Sequence, residues 1–291
     1  MNIHATIKTI SAACCFVLLF ACKTGTKPTG SHSNVPHLPA NWKHIDSAGA
    51  VILGKNAYNR NGKSTIDFVV VVNLSAGGGM RILDSIYKND NCSPVFNSYP
   101  VTGTSGNTFW KLFSNNNSFA MANLQFYNFR TAETDTAQVC YPVYFNGKYI
   151  SQGCADGTCS ADQRLPKRIM IFTDTITVLE YPIYIPCSND AMPAQSTAAI
   201  VGNHPLANRD SSRYVARTYM AKQGTNLVVY TSPYAKDADI YSVLQKEFNI
   251  APGNIVMFDG SGSTQMICKG ITYVPSSDNR RVPSAIEIYC N

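Results

Sequence analysis

The chain has 291 residues, and at roughly 100–200 residues per domain that allows one large domain or two small ones. Hydrophobic residues make up 45% and charged residues 14%, enough for a buried core, which excludes a disordered chain, a coiled coil, a collagen-like fibre and a multi-span membrane protein. The net charge of +6 is spread along the chain with no basic block longer than Arg280-Arg281, so the concentrated stripe of a nucleic-acid binder is excluded.

The first segment reads as an export signal. Lys8 supplies a positive start, and Ile10 to Phe20 is an apolar run too short to span a hydrocarbon core of about 30 Å. It ends in Leu19-Phe20-Ala21-Cys22, which resembles a bacterial lipobox, so residues 1–22 are expected to be a lipoprotein signal with Cys22 acylated. Each buried CH₂ of such a lipid contributes about 0.8 kcal/mol, and several acyl chains anchor firmly. Residues 23–45, rich in Gly, Pro, Ser and Thr, are expected to be a flexible tether. The implied location is the bacterial cell envelope, on a membrane facing the periplasm or the exterior.

Strand patterns dominate from residue 46 onward. Thr65–Val72 is β-branched and continuous, Ser75–Gly79 is a turn, and Met80–Leu83 returns as the next strand. Ser118–Phe129 is apolar and aromatic around a central Asn123. Arg168–Phe172 and Ile176–Leu179 flank Asp174 as a hairpin, and Asn226–Thr231 is another buried strand. Asp237–Asn249 repeats Ile240, Leu244 and Phe248 at helical spacing, with Asp237 as the expected N-cap. Ala251-Pro-Gly253 stops that helix. Ile255–Phe258 and Ala285–Tyr289 are strands. The expected fold is α+β: a single domain over 46–291, with a mixed, largely antiparallel sheet and a few flanking helices.

Beyond Cys14, Cys15 and Cys22, an odd number of cysteines remains: Cys92, Cys140, Cys154, Cys159, Cys187, Cys268 and Cys290. In an exported chain they predict disulfides, with Cys154–Cys159 the best local pair and Cys268–Cys290 the next, provided their strands are neighbours. Zinc is not favoured, because no paired CxxC occurs and His204 is the only histidine beyond His44. No metal and no cofactor are expected.

The sharpest chemical feature is Phe258-Asp-Gly-Ser-Gly-Ser-Thr264. A strand delivers a carboxylate, and a Gly/Ser loop follows. Gly260 and Gly262 let backbone approach a ligand, and Ser261, Ser263 and Thr264 add hydroxyls. An ordinary hairpin turn has the same local composition. P-loop, HExxH and GxSxG patterns are all missing. The SxxK and SDN look-alikes at Ser85–Lys88 and Ser277–Asn279 follow Lys23-Thr-Gly25 in the wrong order for a penicillin-recognising enzyme.

FDGSGSTQMICKG…PSSDNRRVPSAIEI resembles the phosphodiester glycosidase domain family. Asp259, Gly260, Gly262, Ser263 and Thr264 match its Asp-Gly-Gly-Gly-Ser-Thr motif, with Ser261 in place of a glycine. Pro275-Ser276 match its Pro-Ser, and Arg280 and Val282 its Arg-x-Val. Upstream, Ala216-Arg217-Thr218 resembles its Arg-Thr strand, the Val69–Leu83 segment its opening hairpin, and Asn123 to Tyr127 its Asn-Gly-Gly-Phe-Phe segment. Leu124 and Gln125 stand where that segment has two glycines.

The resemblance implies hydrolysis of a sugar-1-phosphodiester, or a related glycoside, at the anomeric carbon. Asp259 is the implied carboxylate, as base, nucleophile or electrostatic stabiliser. Arg217 and Arg280 are the implied anion clamps, Gly260 to Thr264 the cradle, and Asn123 the group orienting sugar hydroxyls. Ser276 and Asp278 complete the substrate-binding set. Asp174, Glu180, Asp210 and Asp278 are candidate second carboxylates, with Asp278 favoured by its closeness to Ser276 and Arg280. The expected partners are a carbohydrate or glycosyl-phosphodiester substrate and a membrane reached through the lipid, with no nucleic acid and a monomeric chain. The alternative is a non-catalytic glycan-binding surface lipoprotein, to which the replaced glycines would be suited. A disulfide-linked structural envelope protein is a third reading.

Overall fold

The computed structural model describes residues 36–88, 94–103, 107–129, 136–153, 165–181, 197–207, 210–277 and 280–291. The chain divides into Met1–His32 and Ser33–Asn291, and every described residue belongs to the second unit.

The large sheet is built from β1 (Lys43–Ala48), β2 (Val51–Arg60), β3 (Lys63–Asn73), β10 (Val143–Phe145), β11 (Lys148–Ser151), β12 (Lys167–Phe172), β13 (Ile176–Tyr181), β14 (Ala198–Asn203), β15 (Val215–Gln223), β16 (Asn226–Ala235) and β17 (Ile255–Phe258). Its order is β1-β2-β3-β16-β15-β17-β14-β10-β11, with the β12–β13 hairpin on the other edge of β14. A second sheet has the order β19-β18-β7-β20-β4, from β4 (Gly78–Asp84), β7 (Ser118–Asn123), β18 (Met266–Cys268), β19 (Ile271–Val274) and β20 (Ser284–Cys290). A small third sheet joins β5 (Ile86–Lys88), β6 (Val95–Asn97), β9 (Thr136–Val139) and β8 (Tyr127–Phe129). Two helices are described, α1 (Phe109–Phe113) and α2 (Asp237–Lys246).

The expected α+β class is therefore corrected to a largely β fold. Among the described residues all strand pairings are antiparallel and the only helix longer than five residues is α2. The physical reason lies in the residues: valine-rich runs such as Val69–Val72 favour extended backbone, whereas Ile240, Val243 and Leu244 repeat with the helical spacing of α2.

Alternation along the strands creates the layers. Val70, Val72, Met220, Val229, Val256 and Phe258 of the large sheet pack on Ala120, Ala122, Met266, Ile286 and Ile288 of the second sheet. The neighbouring positions Val69, Val71, Tyr219, Val228, Tyr230 and Met257 face the other way, onto Ile240, Leu244 and Phe248. Leu83, Met121, Ile267 and Ala285 pack with Phe109 on the far side of the second sheet. Trp42, 6% exposed, joins the α2 core, so the folded unit begins before the expected tether boundary at residue 45.

Three local expectations change. The Val69–Leu83 segment is not a paired hairpin, because β3 and β4 belong to different sheets, joined by a 3-10 turn at Leu74–Ala76. Asp237 is the first helical residue and Lys236 the cap, whose backbone N–H donates to Asp239 Oδ2 at 2.9 Å. Cys268 and Cys290 are both free, since β7 lies between their strands, whereas Cys140 is disulfide-bonded. The Cys154–Cys159 pair lies outside the described residues.

Candidate functional site

β17 lies inside the large sheet between β15 and β14, so the residue after it starts from a position held on both sides. That residue is Asp259. Its backbone N–H donates to Leu124 O at 3.1 Å, and its carbonyl accepts from Asn123 Nδ2 at 2.7 Å. The side chain is half-buried. A rigid strand end, tied to the end of β7, presents the carboxylate.

The loop that follows folds into a 3-10 turn over Ser261–Ser263. Gly260 is required there, because a Cβ would lie 2.9 Å from Ala216 O. Ser261 has φ 57°, the left-handed region that favours glycine, and this is where the resembled motif has one. The Ser263 and Thr264 amides donate to Gly260 O and Ser261 O at 3.2 and 3.3 Å. Those two donors therefore serve the turn itself, not an anion. The Ser263 and Thr264 hydroxyls are also turned inward: Ser263 Oγ meets Tyr127 OH at 3.0 Å, and Thr264 Oγ1 meets Thr218 Oγ1 at 3.4 Å.

The Pro-Ser and Arg-x-Val segments come to the same loop. Ser277 Oγ donates to Gly262 O at 3.2 Å, and Ser276 Oγ donates to Arg280 O at 3.1 Å. A Cβ on Gly262 would stand 3.3 Å from Arg280 Nε, so the missing side chain lets the guanidinium lie over the loop. Arg280 is exposed. Asp259, the Gly260–Thr264 loop, Ser276 and Arg280 are thus brought together. Asp278 and Cys22 lie outside the described residues.

Two expected ligand contacts occupy other places. Asn123 is 1% exposed, and its amide is committed: Oδ1 accepts from Thr218 Oγ1 at 2.7 Å and from Gln265 N at 3.1 Å, while Nδ2 holds Asp259 O. It positions the Asp259 backbone from beneath. Arg217 is 1% exposed and pairs with Asp237 at 3.0 Å, a charge contact without aligned hydrogen-bond geometry. Its Nη2 donates to Asp210 O and Arg213 O at 2.5 and 3.1 Å. Alternation explains the placement, since Thr218 turns to Asn123 while Arg217 turns with Tyr219 toward Asp237. Only the aliphatic stem of Arg217 approaches the loop, its Cδ 3.6 Å from where a Gly260 Cβ would sit.

Among the candidate second carboxylates, Asp174 is exposed in the β12–β13 turn, Glu180 pairs with Arg168 at 2.8 Å, and Asp210 pairs with Arg213 at 3.1 Å. Asp84, not singled out from sequence, ends β4 opposite Ser284, and burial pushes its carboxyl up. Ser284 O accepts from Leu124 N, whose own carbonyl accepts from Asp259 N, so β20 and the end of β7 lie between the two acids.

Tyr127 and Gln265 are further members that sequence reasoning missed. Tyr127 OH donates to Arg281 O at 2.9 Å, and burial, reinforced by the Asp259 charge, pushes its hydroxyl well up, so it stays protonated. Gln265 is fully buried. It accepts from Val101 N and Thr102 N at 2.8 and 3.1 Å and donates to Arg280 O at 2.9 Å. Tyr127 lay inside the Asn123–Tyr127 segment, which was the available signal; Gln265 gave none beyond following Thr264.

The arrangement defines a largely antiparallel β protein with a carboxylate–guanidinium loop at a strand end. No protein-family model matches the chain, and no curated protein matches it. It is similar to a solved structure described as a hypothetical protein from Synechocystis, with a TM-score of 0.52 and 11% identity over 86% of this chain and 64% of that one. At that identity the likeness speaks for the fold alone, and the chain spans less than two thirds of that protein.

Proposed function

We propose that the chain is an exported lipoprotein, anchored through Cys22, that hydrolyses a sugar-1-phosphodiester or related glycoside at the anomeric carbon. One observation carries the reading: Asp259 at a fixed strand end shares a loop with Arg280, whose guanidinium lies over Gly262. In this reaction the bond from the anomeric carbon to the phosphate oxygen breaks and a bond to water oxygen forms. Positive charge develops on the sugar, which the Asp259 carboxylate stabilises, directly as nucleophile or by taking the proton of water. The leaving phosphate needs little protonation, and Arg280 neutralises it through a bidentate fork. Tyr127, neutral, donates to Arg281 O and accepts from Ser263 Oγ, and so holds the loop in place.

The test is release of free sugar from a panel of sugar-1-phosphodiesters and aryl glycosides by the full chain. Asp259→Asn should abolish release, and Arg280→Ala should weaken phosphodiesters more than aryl glycosides. Full activity in Asp259→Asn would overturn the assignment. A non-catalytic glycan-binding reading is favoured by one observation: Gln125 places a buried side chain beside the Leu124–Asp259 contact, where the resembled motif has glycine. Glycan binding with no release from any substrate would select it.

A further inference from the structure

Along one edge, β14 changes partner. At Ala198–Ile200 that edge pairs with β10, and at Asn203 it pairs with β17. Between them, Val201 N donates to Pro142 O at 3.3 Å, and Val201 O accepts from Gln125 Nε2 at 3.1 Å. Gln125 therefore stands where β17 and β10 part. Its neighbour Leu124 supplies the carbonyl that holds Asp259 N–H. On the same edge, Asn203 is paired directly with Met257, two residues before Asp259 on its strand, and paired residues share a face of the sheet.

Asn123, Gln125 and Gln265 are linked to this strand end by hydrogen bonds or sequence, Asn203 pairs two residues back along β17, and these four buried amide side chains differ in one respect. Asn123 and Gln265 are engaged at both ends. Asn203 is 0% exposed and Gln125 1% exposed, yet among the described residues Asn203 Oδ1, Asn203 Nδ2 and Gln125 Oε1 have no hydrogen-bond partner. The orientation of Gln125 is fixed by chemistry, because Val201 O can only accept, so the amide nitrogen must face it and the oxygen is the open atom. A desolvated amide without a partner destabilises a fold, whereas leucine at position 203 would pack without that cost. Residues that lower stability concentrate where they serve ligands.

We propose that Asn203 and Gln125 form a neutral hydrogen-bonding subsite for the sugar hydroxyl groups of the ligand on which Asp259 and Arg280 act; this rests on the function proposed above. The open atoms comprise a donor and two acceptors. Hydroxyls both donate and accept and so suit them, while a phosphate offers only acceptors and would meet Gln125 Oε1 unfavourably. The ligand is thereby divided, its anionic part at Arg280 and its hydroxylated part at the parting of β17 and β10.

The test compares the full chain with Asn203→Leu, using thermal unfolding and calorimetric titration. The probes are glucose 1-phosphate, galactose 1-phosphate, mannose 1-phosphate, N-acetylglucosamine 1-phosphate and inorganic phosphate. The wild type should bind at least one sugar phosphate at least ten-fold more tightly than inorganic phosphate. Asn203→Leu should unfold at or above the wild-type temperature, lose that ten-fold preference, and bind inorganic phosphate unchanged. Gln125→Glu, which presents an anion to the hydroxyls and the phosphate beyond, should weaken the sugar phosphate further. Unfolding of Asn203→Leu below the wild type would overturn the proposal, since the amide would then serve the fold. So would a preference retained in that variant, or no preference in the wild type. Binding as expected without sugar release from any diester would leave the subsite standing and count against catalysis alone.

Discussion

Truncating Asn123 to alanine separates a ligand-contacting amide from a structural one. The side chain carries bonds of 2.7 Å to Thr218 Oγ1, 3.1 Å to Gln265 N and 2.7 Å to Asp259 O. All lie in a region where Asn123 and Thr218 are 1% and Gln265 0% exposed. Asn123→Ala leaves the Gln265 N–H and the Asp259 carbonyl without that partner, and Thr218 keeps only its 3.4 Å contact to Thr264. At about 1–3 kcal/mol for each of these two buried groups left unpaired, the loss is about 2–6 kcal/mol, a large share of a typical 5–15 kcal/mol stability. Urea unfolding should show a lowered midpoint at constant slope. Thr218→Val, which removes one of the three bonds, is the milder companion and should cost about 1 kcal/mol. A loss below about 1 kcal/mol in Asn123→Ala, with ligand binding abolished, would refute the structural role and restore a hydroxyl-orienting one.

Three other outcomes follow from the same geometry. Asp237→Ala leaves the buried Arg217 guanidinium without its 3.0 Å counter-charge and should cost about 3–5 kcal/mol by urea unfolding; near-neutral stability with weakened anion binding would return Arg217 to the clamp role. Ser261→Gly removes a left-handed residue at φ 57° and should stabilise by about 0.5–1 kcal/mol after the added entropy of glycine, whereas destabilisation would mean the Ser261 side chain holds the turn. Burial holds the Asp84 carboxyl above the ordinary aspartate value of 3.8, so the native state binds that proton more tightly than the unfolded chain. Stability from this group then rises as pH falls from above its native pKa toward 3.8, and Asp84→Asn should melt higher than wild type at neutral pH and lose the advantage near pH 4. Parallel melting-temperature curves for the two proteins across that range would show that Asp84 is not desolvated.

Strands whose residues are all buried or β-branched were legible in the sequence. Ile255–Phe258 is a strand with the bounds read from its pattern, and Thr65–Val72 lies within β3. Which sheet a strand joins was not legible, because pairing partners are chosen by distant contacts: β3 and β4 look like consecutive hairpin strands and part at Leu74–Ala76. The same holds at the site. Gly262 and Arg280 lie against each other, and Asp259 stands at the start of the same loop. Arg217 and Asn123 carry the right residue types, but strand parity sends the first toward Asp237, and the second is saturated by Thr218 and Gln265. Asn203 lies in no motif, and only its register against Met257 sets it near the end of the strand that leads to Asp259.

The pairing of β4 with β20 sets Asp84 opposite Ser284 and Gly78 opposite Cys290. Asn123, Asp259 and the Gly260–Thr264 loop all fall in the stretch of chain that this ladder closes. Such a ring closes late and at high entropic cost, so refolding belongs in the millisecond-to-second regime of non-local β topologies rather than that of helical bundles. Recovery of ligand binding after dilution from urea should therefore keep pace with the slowest phase of β-sheet formation.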